Sequence, residues 1–173
     1  MAAPEIASTS VPPEQVISLY VNNKPGVLVR VAVVFARRGY NIDSLVVSPG
    51  ARGDFSRMTV ACSGDPETLE QIIKQLAKLV DVVHAIDHTG GKAYGTEIAL
   101  IKLQCQLDER SQILQIAEHF NAKVVDYGTE SLMLRVYGAS EKLDTFTELL
   151  RPFGLRELVR SGKVLMARGL KAT

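Results

Sequence analysis

The most constraining feature of this 173-residue chain is a strand, a turn, a helix and a second strand that follow one another within residues 16–48. Residues 16–21 alternate apolar side chains in a β-branched run, which predicts a strand. Apolar residues then recur at helical spacing over 27–38, and residues 42–48 form the next predicted strand. The turn before the helix is short and contains Gly26, so the backbone amides at the start of this helix are expected to be accessible.

The rest of the chain completes this unit and then repeats its pattern. A strand over 55–62, a helix that begins at Asp65-Pro66 and a strand over 80–88 give the order βαββαβ. A glycine-rich stretch follows. The second half then shows a strand (97–105), a helix capped by Asp108, two strands (123–126 and 132–137), a helix from Ser140, and two strands (155–159 and 163–167).

These elements predict an α+β fold with two ferredoxin-like βαββαβ units in tandem. The first unit is expected to have an antiparallel sheet covered by two helices. The predicted organisation is a disordered tail (1–15), a first unit (16–89), a linker (90–96), a second unit (97–168) and a short tail (169–173).

The charge balance and the two cysteines restrict which partners and which cellular compartment are expected for this chain. The chain has 20 basic and 19 acidic residues, and this balance argues against binding to nucleic acid or to an anionic membrane. No apolar run reaches the roughly 18 residues of a membrane span. Cys62 and Cys105 lie in apolar strands, as buried free thiols usually do, so we expect a reducing cytoplasm.

Signatures of catalysis and of metal binding are missing from the sequence. No GxSxG, GxxxxGK[ST], GxGxxG or HExxH motif occurs. His84 and His88 are expected to lie about 13 Å apart along one strand, which is too far for a shared metal. A single-stranded RNA reader would need adjacent aromatic residues on its third strand, where this chain offers one terminal aromatic, Phe55.

The turn before the first helix has the groups that a small zwitterion requires. Amides at a helix start favour a carboxylate, and Gly26 lets the backbone approach closely. Side-chain amides of Asn23 and Asn41 can pair with an ammonium or a carboxylate. The apolar wall would come from Val27, Leu28 and Ile42. The same residues fit a purely structural role equally well, with Asn23 and Gly26 making the turn and Asn41 capping a chain reversal.

A second apolar face on the first helix predicts a contact with another chain. Val29 and Val33 lie away from the main apolar stripe, where a solvated helix would place charged residues.

Five segments together resemble one known family: 23–28 (NKPGVL), 35–42 (FARRGYNI), 56–59 (SRMT), 75–82 (QLAKLVDV) and 160–162 (RSG). The first two resemble the ACT regulatory domain in general. In combination the segments resemble the small subunit of acetolactate synthase (acetohydroxyacid synthase), over about residues 16–168.

That resemblance implies a non-catalytic regulatory subunit whose first unit is an ACT domain. It would bind and activate the large catalytic subunit and confer feedback inhibition by valine. The cofactors of that enzyme, thiamine diphosphate, Mg and FAD, would lie in the large subunit and none in this chain. In the family the effector sits between the ACT domains of two protomers, so a homodimer is expected. Carried over by motif position, the effector-binding residues are Asn23, Gly26, Val27, Leu28, Asn41 and Ile42.

Other functions make different predictions. An ACT-type amino-acid sensor could serve another enzyme or a transcription factor, and its co-purifying partner would identify it. A stand-alone small enzyme would form acetolactate from pyruvate by itself, and an RNA-binding module would bind oligonucleotides in a salt-dependent way.

Overall fold

A computed structural model describes residues 14–91 and 93–173. The first unit comprises β1 (Glu14–Asn22), α1 (Val27–Arg37), β2 (Ile42–Pro49), β3 (Phe55–Ser63), α2 (Pro66–Leu76) and β4 (Val82–Asp87). Its four strands lie in the order β2-β3-β1-β4, and all neighbours are antiparallel. Of the predicted tail, residues 1–13 lie outside the described residues, and the last two residues already belong to β1.

The second unit repeats this topology. It contains β5 (Ala93–Gln104), α3 (Arg110–His119), β6 (Lys123–Tyr127), β7 (Ser131–Gly138), α4 (Ser140–Leu150), a short 3-10 helix (Arg151–Phe153), β8 (Leu155–Arg160) and β9 (Val164–Ala167). The order β6-β7-β5-β8 matches that of the first sheet position by position. The prediction of two tandem βαββαβ units is therefore confirmed.

Each sheet buries one face against its own two helices. In the first unit the core includes Ile17, Leu19, Val31, Phe35 and Ile72, all of which are almost completely buried. A second, separate core forms between the helices and the sheet of the second unit. Two independent cores explain why the sequence pattern restarts near its middle.

Local signals set several helix ends as predicted. The Asp65 carboxylate accepts a hydrogen bond from the Thr68 amide at 2.8 Å, and Pro66 begins α2. Gly39 follows the end of α1 with φ of 65°, the left-handed conformation that glycine adopts easily. These two residues therefore delimit the helices by the physical mechanism that the sequence indicated.

Two predictions about the second unit and the linker need correction. Asp108 does not cap α3, because the helix begins at Arg110 and the residue at the N-cap position is Glu109. The Glu109 carboxylate accepts a hydrogen bond at 2.9 Å from the Gln106 amide, which precedes the helix. The predicted linker 90–96 is partly strand, since residues from Ala93 onward pair with β9. The predicted tail 169–173 folds back onto the protein, and Thr173 is only 6% exposed.

Cys62 and Cys105 are buried and free, as predicted. Burial raises the pKa of the Cys62 thiol to about 11, so this thiol stays protonated at neutral pH. Among the described residues, no helix combines the length and the apolar character that are needed to cross a bilayer.

The turn that opens the first helix

The backbone of the turn brings the chain directly from β1 into α1. The Lys24 amide donates to the Asn22 carbonyl at 3.0 Å, and the Val27 amide donates weakly to the Lys24 carbonyl at 3.4 Å. Gly26 precedes the helix with φ of 82° and ψ of −9°, a left-handed conformation that costs other residues free energy. Its carbonyl accepts from the Arg30 amide at 3.1 Å and so makes the first helical hydrogen bond.

The loop between β2 and β3 supports this turn from one side. The Asn23 amide donates to the Asp54 carbonyl at 2.8 Å, and the Asn23 side-chain nitrogen donates to the Gly53 carbonyl at 3.1 Å. Within residues 14–91 and 93–173, no group donates to the Asn23 side-chain oxygen. Asn23 is thus fixed through its nitrogens, and its oxygen is left as an acceptor for a ligand.

The amino end of α1 has no side-chain cap and no acidic residue in its first turn. In the part of the chain that the structure describes, the Gly26 and Leu28 amides donate to no protein acceptor. By contrast, α2 is capped by Asp65 and carries Glu67 in its first turn. Unpaired amides together with the positive end of the helix dipole make the start of α1 a suitable place for a carboxylate.

Apolar side chains of the predicted site divide between core and surface. Val27 is buried in the first core, and its amide donates to the Lys24 carbonyl. Leu28 is 42% exposed and lies beside the uncapped helix start. Of these two predicted residues, Leu28 therefore has the more accessible side chain, and the role of both in effector binding stays a prediction.

Sequence reasoning missed a charged neighbour of the turn, Arg30. Its guanidinium forms an ion pair with Asp81 at 2.5 Å. A Cβ added at Gly26 would lie 3.5 Å from one nitrogen of this guanidinium. The i to i+4 spacing from Gly26 places Arg30 on the same face of the helix, and this spacing is the signal that could have identified it.

The remaining predicted residues, Asn41 and Ile42, lie beyond the other end of α1. The Asn41 side chain donates to the Asp43 carboxylate at 2.9 Å, and Ile42 begins β2. With 11 residues and a rise of roughly 1.5 Å per residue, α1 separates the two groups by about 16 Å. One chain therefore does not bring all six predicted residues into a single site.

Two family models cover the two units separately. The "AHAS small subunit-like ACT domain" matches residues 17–84, and the "small subunit of acetolactate synthase" matches residues 96–169. The acetolactate synthase small subunit of Mycolicibacterium smegmatis is 43% identical over 157 residues, which are 91% of this chain and 92% of that protein. The chain belongs to the acetolactate synthase small-subunit family.

Other members of the acetolactate synthase small-subunit family agree with this assignment. The probable small subunit of Archaeoglobus fulgidus is 41% identical, covering 90% of this chain and 97% of that protein. The crystal structure of the small subunit from Thermotoga maritima superposes with a TM-score of 0.82 at 37% identity, covering 90% of this chain and 98% of that one. The resemblance of the sequence to this family and the predicted fold class are thereby confirmed.

Within the described ranges, no group of three or more His, Cys, Asp or Glu side chains is arranged to hold a metal ion.

Proposed function

We propose that this chain is the regulatory small subunit of an acetolactate synthase, acting in the cytoplasm. It associates with a catalytic large subunit, raises that subunit's activity and makes it sensitive to valine. The observation that carries the proposal is the uncapped start of α1 behind Gly26, in a chain whose relatives over both units are acetolactate synthase small subunits.

Valine would bind through its two charged groups and its side chain. The carboxylate accepts from the Gly26 and Leu28 amides, with Arg30 close enough to add positive potential. The ammonium donates to the side-chain oxygens of Asn23 and Asn41. Leu28 and Ile42 then form the apolar wall around the isopropyl group.

Two protomers are needed to complete this site. The turn and Asn41 lie at opposite ends of α1, so they meet only if the turn of one protomer faces Asn41 of another. The edge strand β2 begins at Ile42, next to Asn41, and an unpaired edge is a template for pairing with a second copy. Pairing about a two-fold axis would join the first sheets of two protomers and create two equivalent effector sites.

Regulation follows from this shared site. Valine bound between protomers favours one arrangement of the dimer, and the contact with the large subunit depends on that arrangement. A coupling of about 1–3 kcal/mol would change the active population about 5- to 150-fold. Val29, which is largely exposed, and Val33 give α1 a second apolar face for contact with another chain. Thiamine diphosphate, Mg and FAD would be bound by the large subunit.

Reconstitution tests the proposal. Acetolactate formation from pyruvate by the purified large subunit should rise when this chain is added, and valine should reverse that rise. An unchanged rate at saturating concentrations of this chain would contradict the subunit assignment. Activation that valine leaves intact would contradict the effector assignment alone.

A further inference from the structure

The outer face of the first sheet, opposite α1 and α2, is buried although no helix covers it. Ser18, in the middle of β1, is 0% exposed, and Thr59 and Ala61 on β3 are also buried. The corresponding face of the second sheet is open, with Ile98 48% exposed and Tyr137 58% exposed. Because the two sheets have the same topology, something specific to the first unit must cover its outer face.

Residues of the second unit form part of this cover, beside His88 of the first unit, whose Nε2 atom lies 2.8 Å from the Ser18 hydroxyl. At one end of the face, Leu165 of β9 packs against Val16 and Ala61 in a small apolar cluster. Lys163 forms an ion pair with Glu14 beside it. Beyond β9, residues 168–173, which we call the strap, form a turn that brings Thr173 back beside Ala167 and into contact with Arg57 and His84 of the first sheet.

Two donors on the first sheet hold the main-chain oxygen of Thr173. Arg57 donates to this oxygen at 3.1 Å, and the His84 Nε2 atom lies 3.0 Å from it. Since this main-chain oxygen can only accept, Nε2 of His84 donates. The Thr173 hydroxyl accepts from the Ala167 amide at 2.9 Å, which closes the strap on itself.

Tyr20 places both donors. Its ring stacks on His84 with centroids 5.3 Å apart and an interplanar angle of 18°. The Arg57 guanidinium lies 5.7 Å from the centroid of the same ring. Tyr20, Arg57 and His84 therefore form a built receptor for the strap, and we call these three residues the receptor.

The middle of the strap has few contacts with the protein. Leu170 is fully exposed, and a Cβ added at Gly169 would meet nothing within 4 Å. Residues 168–172 are all exposed, and a segment that buries so little surface has a low free energy of local opening. The hydrogen bonds at Thr173 thus decide whether the strap is bound or released.

The receptor is directly connected to the turn before α1. Tyr20 stacks on Phe55 on its other side, with centroids 5.0 Å apart and an interplanar angle of 21°. The carbonyl of Asp54, the residue before Phe55, accepts from the Asn23 amide. The Phe55 carbonyl accepts from the Gly50 amide and so closes the same loop.

We propose that the strap binds in cis to the receptor on the outer face of the first sheet, and that its binding supports the effector turn through Phe55 and the 50–55 loop. This coupling rests on the proposed function of the turn. With the strap bound, the loop holds Asn23 in the geometry that accepts valine. When the strap is released, the loop loosens and valine binds less tightly. By reciprocity, valine also strengthens the attachment of the strap.

Two variants of the full chain with the large subunit test the proposal. Arg57→Met keeps an apolar stem and removes the donor, and deletion of residues 168–173 removes the strap. Both should weaken valine inhibition at least about fivefold. Arg156→Met, which changes an exposed arginine in the second unit, is the matched control and should leave it unchanged. Normal valine sensitivity in both test variants would overturn the coupling.

Hydrogen exchange of the Ala167 amide, followed by NMR in the free chain, tests strap binding without valine. This amide should exchange at least about tenfold faster in Arg57→Met than in the wild type, because its acceptor is on Thr173. Equal exchange rates would overturn the receptor itself. If wild-type enzyme ignores valine while the Ala167 result holds, the proposed effector function fails and strap binding stands.

Discussion

The same position in the fold, the connection between the first strand and the first helix, is open in one unit and filled in the other. In the first unit Gly26 leads into α1 with no side-chain cap, and the Gly26 and Leu28 amides donate to no acceptor among the described residues. In the second unit the Glu109 carboxylate accepts a hydrogen bond from the Gln106 amide. The Arg110 side chain donates to the Gly128 and Thr129 carbonyls at 2.7 Å each. Both helices lack a side-chain cap, so the difference lies in the side chains at the helix start: Glu109 places a carboxylate beside the start of α3, and the first turn of α1 has no acidic residue.

The difference teaches that two units with the same fold can place different side chains at the same turn. Arg110 also lies over the Tyr127 ring, with its guanidinium carbon 4.5 Å from the ring centroid. Its side chain therefore occupies the second connection and binds groups of the same chain. Both units share strand order and core construction, and under the proposed function the residues at one turn make the first unit the one that binds a small molecule.

Closing the open turn should have the largest effect. Gly26→Asp places a carboxylate at the uncapped amides and beside Arg30, where the carboxylate of valine would bind. We expect valine inhibition to weaken by at least about tenfold, with activation of the large subunit retained, because charge-assisted hydrogen bonds contribute about 1.5–3 kcal/mol each.

The control for this substitution is Gly90→Asp, which has a similar φ of 66° and open space around it. It should share any loss of melting temperature that a side chain at positive φ causes, and it should keep normal valine inhibition. Equal valine sensitivity in the two variants would place the effector elsewhere.

Removing the contribution of the second protomer should have a smaller effect. Asn41→Ala should weaken valine binding by about 1–3 kcal/mol, the usual cost of a lost buried hydrogen-bond partner. Isothermal titration of the complex with valine measures this loss, and Gln115→Ala on the exposed face of α3 is the control. Unchanged binding in Asn41→Ala would return Asn41 to a structural role beside Asp43.

Removing the Arg110 guanidinium from the connection between β5 and α3 should lower the stability of the protein and leave valine inhibition unchanged. Arg110→Met removes the donor to two carbonyls in the second unit, so scanning calorimetry should show a melting temperature lowered by several degrees. Arg135→Met, an exposed arginine on β7, should melt as the wild type does. A loss of valine sensitivity in Arg110→Met would show that the second connection also takes part in regulation.

The smallest effect concerns the covered outer face of the first sheet. Burial lowers the pKa of His88, whose Nε2 atom lies 2.8 Å from the Ser18 hydroxyl. The unfolded chain therefore binds a proton more readily, so His88 contributes stability above about pH 6.5 that is lost as the pH falls. Urea unfolding at about pH 7.5 and about pH 5.5 should show a smaller pH dependence in His88→Gln than in the wild type. His119→Gln in the second unit is the control, and an identical pH dependence in all three proteins would refute this assignment.

Local signals predicted most of the fold. Asp65-Pro66 at the start of α2, Gly39 after α1 and the apolar periodicities each act within a few residues, so one sequence is enough to read them. The turn around Gly26 belongs to the same class, because its geometry follows from residues that are adjacent in the chain.

Long-range contacts account for what the sequence did not predict. The sequence of residues 93–96 is typical of a linker, and only the pairing with β9 makes these residues part of a strand. Thr173 meets Arg57 and His84, which are 116 and 89 positions away, so the last residues read as a tail. Val27 has the right character for an apolar wall, yet packing of α1 on the sheet directs its side chain into the core.

The most direct test of the central claim is calorimetric titration of the complex of this chain and its large subunit with valine and, separately, with valinamide, which lacks the carboxylate. If the Gly26 and Leu28 amides bind that carboxylate, valine will bind saturably and valinamide will bind far more weakly. Gly26→Asp will then remove the difference in affinity between the two compounds. Equal binding of the two compounds, or valine binding that is unchanged in Gly26→Asp, would contradict the account.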